Sequence, residues 1–275
     1  MRIQRVLVSL SIGLLLLVAL IGIYNLVDSR SPADQQAVNA ANQLYQAGHY
    51  SAAISIYEEL ILQGVDDAVV FYNLGNAYYQ SGELGRAVLN LQRATLLEPR
   101  DQDIQANLEL ARAESGALDF PTAAGPLQSL ANLTRAWLNL NETSLLALGA
   151  WFAFAFMVLI VRLTKPGTLR KLAQYLAIFI LLLVIASTVS LGTRIYSDHN
   201  LPSGVVVAPI VTVSSSPQGK DLTKWQLPSG TEVNLMVTQG GWAQMSLPGK
   251  SVEGWIPVES VEPLRTPAPV STVNF

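Results

Sequence analysis

Cysteine is absent from this chain, which excludes disulfides, thiolate metal sites and a cysteine nucleophile. Any part of it outside a cell is therefore held together by packing alone. Histidine is nearly absent as well. His49 falls in a predicted turn and His199 in a polar stretch next to Asp198, and neither spacing builds a metal site. Ser, Asp and His are too scattered to nominate a triad, and the acids lie on predicted exposed helix faces and turns rather than facing each other as a carboxylate pair would. No catalytic residue, metal ligand or cofactor is nominated, and the chain reads as a non-enzyme.

Charge makes up only 13% of the sequence and vanishes from three stretches, 6–27, 143–161 and 172–193. As helices rising about 1.5 Å per residue, each is long enough to cross the roughly 30 Å apolar core of a bilayer. Basic residues then set the sidedness. Arg2 and Arg5 precede the first stretch, and Arg162, Lys165, Arg170 and Lys171 crowd the loop 162–171. Short Lys/Arg-rich loops stay cytoplasmic, so 28–142 and 194–275 are expected on the opposite face. Arg194, just past the third stretch, runs against that rule. Residues 1–30 read either as an uncleaved anchor or as a secretory signal. Segment 28–142 holds 14 acidic and 6 basic residues, a net charge of −8, which repels nucleic acid and anionic lipid alike.

Segment 34–116 repeats with a period of 34. Gly48 recurs as Gly82 and Gly116, Ala53 as Ala87, Tyr57 as Leu91, and Asn42 as Asn76. Asn39, Asn73 and Asn107 share one phase. In the best unit, Phe71, Leu74, Gly75, Tyr78, Ala87, Leu91, Ala94 and Pro99 resemble the signature positions of the tetratricopeptide repeat, an antiparallel helix pair. About 2.5 units are present, fewer than the three that usually make a stable stack, so support from 126–141 is expected. The concave surface of such an array comes from the first helix of each pair. That places Val38, Asn42, Tyr45, Tyr72, Asn76 and Tyr79 on a candidate peptide groove. It carries no lysine, so an acidic C-terminus is not the expected ligand.

Residues 117–142 begin as a small-residue linker. Leu127, Leu130, Thr134, Trp137 and Leu138 then fall at helical spacing. The stripe fits an amphipathic helix at the outer membrane interface with Trp137 as anchor, or a helix packed on the repeats. From 203 to 264 the pattern changes to short β-rich runs at 205–207, 211–213, 232–237, 242–246 and 252–257, separated by Gly and Pro turns. The pieces LPSGTEVNLM, GGWAQM and EGWIPVESVEPL resemble a bacterial SH3-type domain, which implies a small all-β barrel. Trp225, Trp242 and Trp255 are its candidate ligand contacts, with Trp242 and Trp255 alternatively serving the barrel core. The tail 265–275 is Pro-rich and apolar.

The order of parts is anchor, tetratricopeptide array, two spans 143–193 with a basic loop, and SH3-type barrel. It resembles the BatE-like aerotolerance-associated proteins of bacteria. The resemblance implies a multidomain protein of the bacterial cytoplasmic membrane with both recognition modules extracytoplasmic. It further implies membrane-anchored partners of the von Willebrand A type and a MoxR-type ATPase system. The expected role is a non-enzymatic scaffold, its repeats holding a partner and its barrel a peptide or the cell wall. The alternative is a peptidoglycan sensor or anchor whose repeats mediate oligomerisation.

Overall fold

The computed structural model describes residues 32–118, 126–200, 202–217, 222–249 and 252–265. The uncharged stretch 6–27 and the tail beyond 265 lie outside these residues. Helices α1 (Pro32–Gln46), α2 (Tyr50–Leu62), α3 (Ala68–Ser81), α4 (Leu84–Leu97) and α5 (Gln102–Ser115) form two hairpins and a closing helix. Their punctuation repeats with the sequence. Asp67 accepts from Val69 N and Val70 N at 2.8 and 3.2 Å, and Asp101, 34 residues on, does the same for Asp103 N and Ile104 N. Each thereby satisfies backbone donors that a helix start leaves open. Gly82 and Gly116 end α3 and α5 in the left-handed region, with φ of 83° and 68°, where a Cβ would be strained.

Small residues set how closely the helices approach. A Cβ on Gly75 would lie 2.7 Å from Leu91 Cγ and 3.1 Å from its backbone N, so α3 and α4 meet only because position 75 has no side chain. Ala41, Ala53, Ala77 and Ala87 are fully buried beside Tyr57, Leu74 and Leu91. Helix α5 closes the stack with Ile104, Leu108 and Ala111.

The C-terminal segment is an antiparallel sheet of seven strands, β1 (Ser203–Val206), β2 (Ile210–Ser214), β3 (Leu222–Pro228), β4 (Glu232–Gln239), β5 (Trp242–Ser246), β6 (Glu253–Pro257) and β7 (Val261–Pro263). The order is β3-β2-β6-β5-β4-β1-β7. The expected barrel does not close: β3 and β7 are the two ends, and no pairing joins them. The inner side is a separate apolar core of Val206, Val211, Val213, Leu227, Val233, Met245 and Ile256. The side toward β7 faces the helical array. Val205, Val207 and Leu264 join the array's own core, and the spot where a Cβ on Gly85 would sit is 2.7 Å from Val206 O and Val207 Cα. Arg93 donates to the carbonyls of Leu264 and Pro263 at 3.0 and 2.8 Å, capping the end of β7. Arg86 Nε meets Glu262 at 3.0 Å, and Gln92 donates to Glu232 at 2.9 Å. The sheet therefore supplies the support for the short array that the sequence reading assigns to 126–141.

Helices α6 (Pro126–Arg135), α7 (Leu140–Leu163) and α8 (Thr168–Asn200) lie between the array and the sheet in the chain. The last two are long and apolar enough to cross a membrane, each with a mean hydropathy of 2.4. Only 6% and 17% of their most apolar windows are buried among the described residues, whereas a core helix of a soluble fold is mostly buried. They run antiparallel, with Thr143 beside Arg194 and Arg162 beside Lys171. Helix α6 ends at Arg135, shorter than its apolar spacing predicts. It meets α8 through Thr134 and Ser190, 2.5 Å apart, while Leu133 and Trp137 stay exposed. Arg194, the residue at odds with the charge rule, turns inward. It is 2% exposed and donates to Leu138 O at 3.1 Å and Thr143 Oγ1 at 2.8 Å.

A cluster of hydrogen bonds ties the array to the start of α7. Asn139 and Glu142 form a capping box. The same Glu142 accepts from Arg100 at 2.6 Å, and Asn139 Nδ2 donates to Leu97 O at 3.0 Å. The array, and the sheet packed on it, are thus fixed to one end of the helical hairpin through the end of α4 and the turn that follows it.

Candidate functional site

The first helices of successive units put a regular row of amides and phenols on one side of the array. Asn42, Tyr45, Tyr72, Asn76 and Tyr79 line a groove of about 530 Å³ together with Gln46, Tyr57, Asn73, Gln80, Leu91, Asn107 and Leu110. Val38, placed on the groove by helical spacing, is instead 1% exposed inside the array core. Four residues before Asn42, it sits on the inward edge of α1, within the array's apolar core.

The groove floor is built twice. Asn73 Nδ2 donates to Asn42 Oδ1 at 2.9 Å, and one repeat later Asn107 Nδ2 donates to Asn76 Oδ1 at 2.9 Å. Each bond joins a residue to one 31 positions away, and the two bonds are related by the 34-residue period. Tyr57 OH also donates to Asn42 Oδ1 at 2.5 Å, and Asn107 reaches Tyr72 OH at 3.0 Å. These bonds lock the acceptor oxygens of Asn42 and Asn76. An amide carries two donors and an acceptor. The Nδ2 groups of Asn42 and Asn76 therefore remain available, with no partner among the described residues.

No lining residue carries a formal charge. Burial pushes Tyr57 up to about 12, against a smaller opposing effect from its Asn73 contact. Burial likewise raises Tyr45, helped by Tyr50 and Tyr72. Both phenols stay protonated through the physiological range, so the floor is neutral and rich in donors. Tyr78, behind the groove wall, is raised by burial and by its bond to Glu58. Tyr79 is raised by its own bond to Glu114 at the rim. Aromatic faces, amide donors and no net charge suit an uncharged extended segment whose backbone carbonyls need partners; a charged one finds no counter-ion on the groove wall.

Asn73 and Asn107 were visible in the sequence as a phase-locked asparagine row, yet helical spacing alone did not assign them to the groove. Their pairing with the other asparagine row shows only in three dimensions.

The three tryptophans of the sheet are not gathered in one place. Trp242 on β5 and Trp255 on β6 share the outer face around Gln244, since Gln244 pairs with Trp255. Both are half-buried, while Ala243 and Ile256 point to the core. Trp225 lies on the edge strand β3 with the parity of the buried Leu227 and is 39% exposed. Among the described residues, no group of three or more His, Asp and Glu side chains could hold a metal ion. No protein-family model matches this chain, and no curated protein matches its sequence.

Proposed function

We propose that the protein is a non-enzymatic, membrane-anchored adaptor. Helices α7 and α8 span the bilayer with loop 162–171 on the cytoplasmic side. The array, of tetratricopeptide type, and the sheet, of SH3 type, stand together on the other side. The groove holds an extended, uncharged peptide segment of a membrane-anchored partner. The support for this is the twice-built asparagine contact, which fixes two amide acceptors and leaves two amide donors facing an open, neutral, tyrosine-lined groove. Partners of the von Willebrand A type, with a MoxR-type ATPase system, are the class that the order of domains brings to mind by resemblance.

A photo-crosslinking residue at Gln80 of the full chain, irradiated in native membranes, tests the groove. A protein adduct is expected, reduced about tenfold to a hundredfold by Asn76→Ala with Tyr79→Ala, since each lost hydrogen bond is worth about 0.5–1.5 kcal/mol and each 1.4 kcal/mol is tenfold. An adduct of unchanged yield in that variant would exclude the groove as the binding surface. Recovery of peptidoglycan in place of protein would favour the wall-sensor alternative.

A further inference from the structure

At the end of the helical hairpin remote from the array, α7 and α8 part to leave a second groove, about 620 Å³ in volume. Its mouth holds Arg162, Lys171, Gln174 and Tyr175, and its walls are Phe154, Val158, Val161, Ala177, Ile178 and Leu181. From Lys171 to Leu181 a helix rises about 15 Å, half the roughly 30 Å apolar thickness of a bilayer. The groove is therefore one leaflet deep, cationic at the surface and apolar below.

Among the described residues, the cations there have no protein counter-charge. From residue 143 to 197 the sequence contains no Asp or Glu. None of Arg162, Lys165, Arg170 and Lys171 forms an ion pair among the described residues. Arg162 and Lys171 flank the same opening, next to the amide of Gln174 and the phenol of Tyr175, which add neutral hydrogen-bond donors. A phosphodiester needs that set of groups, and its acyl chain needs the apolar wall beneath.

We propose that this groove is a binding site for one anionic phospholipid, its phosphate held between Arg162 and Lys171 and one acyl chain laid along Val158, Ile178 and Leu181. The occupant is a membrane lipid rather than a free phosphate, because six of the ten lining residues are apolar and the apolar wall continues a leaflet's depth below the cations. The site rests on the proposal that α7 and α8 span a bilayer.

The full chain, reconstituted in phosphatidylcholine vesicles with a trace of spin-labelled phosphatidylglycerol or phosphatidylcholine, reports lipid held at the protein surface as a motionally restricted spectrum. Preferential restriction of phosphatidylglycerol is expected. Arg162→Gln with Lys171→Gln should cut that preference about thirtyfold, as two lost cations near a lipid surface imply. Lys165→Gln with Arg170→Gln, which removes equal charge from the same loop, should reduce it far less. Ile178→Trp, which keeps every charge and fills the groove, should also reduce it. Equal losses from the two double variants, or no loss from Ile178→Trp, would mean diffuse attraction to the loop and overturn the site alone. A chain that fails to float with vesicles of either lipid overturns the membrane proposal and the site with it.

Discussion

Replacing Gly85 with valine is expected to release the sheet from the helical array while leaving both folded. Gly85 lies in the first turn of α4, where glycine costs about 1 kcal/mol relative to alanine, so its presence calls for a reason. A Cβ there would stand 2.7 Å from both Val206 O and Val207 Cα and 2.9 Å from Val207 O. All three are backbone atoms of the strand region pressed on the array, and they cannot swing aside as a side-chain tip would. Overpacking of this kind costs about 1–3 kcal/mol even where side chains can adjust, and the upper end applies here. The loss should be local. In hydrogen exchange on the full chain, amides of β1, β7 and the sheet-facing side of α4 should lose protection. Those of α1, α2, β5 and β6 should keep it. Uniform loss across the array would mean that position 85 supports the helices themselves rather than the junction.

Arg93→Met is expected to have the larger effect on overall stability. The Arg93 guanidinium is half wrapped by protein. Burial holds its pKa below the ordinary arginine value, while Glu262 acts in the opposite direction. It donates to the carbonyls of Leu264 and Pro263, reaches Asn90 Oδ1 at 3.2 Å, and stands 5.7 Å from the ring centre of Phe71. Methionine keeps the apolar stem but strands two carbonyls at the end of β7. Hydrogen bonds to a charged group are worth about 1.5–3 kcal/mol each, so a loss of about 3–4 kcal/mol is expected. At about 2–4 °C per kcal/mol for a domain of this size, the thermal midpoint should fall by roughly 10 °C. Arg93→Lys should not restore it, because a single ammonium cannot copy the planar fork that reaches both carbonyls. Full stability of the lysine variant would show that only the charge matters.

These two residues also mark where the sequence was readable and where it was not. The 34-residue period, the turn glycines at 48, 82 and 116 and the small residues at 75 and 87 are local signals. They place the helix ends at 82 and 116, the stop before Pro99 and the last helix from about 101 to 114, close to where the structure has them. The uncharged stretches likewise gave α7 and α8. Strand β5 was read at its true bounds because Gly240–Gly241 and Pro248–Gly249 bracket it. Strand β3 was missed: Leu222–Pro228 lacks strict alternation. It is held by pairing to β2 rather than by its own pattern.

The open sheet was illegible for a related reason. The motifs of an SH3-type barrel specify turns and strand starts, whereas closure depends on whether the two end strands meet. Here the end strand β7 turns to the array, where Arg93 receives it. That contact joins residues about 170 positions apart in sequence, and no local pattern encodes it. Of the six residues that repeat phase places on one face, five line the same cavity. Val38 was misplaced because an apolar residue at a groove-facing spacing follows the core when the core can take it.

The central claim is that the array and the sheet stand on one face of a membrane and the loop 162–171 on the other. Because the chain has no cysteine, single substitutions at exposed positions give a clean test. Glu59→Cys on the array, Glu253→Cys on the sheet and Lys165→Cys in the loop, each in the full chain, can be treated with a membrane-impermeant maleimide on spheroplasts. Labelling of positions 59 and 253 in intact spheroplasts, and of 165 only after permeabilisation, is the predicted result. Labelling of 165 without permeabilisation, or protection of either 59 or 253, would contradict it.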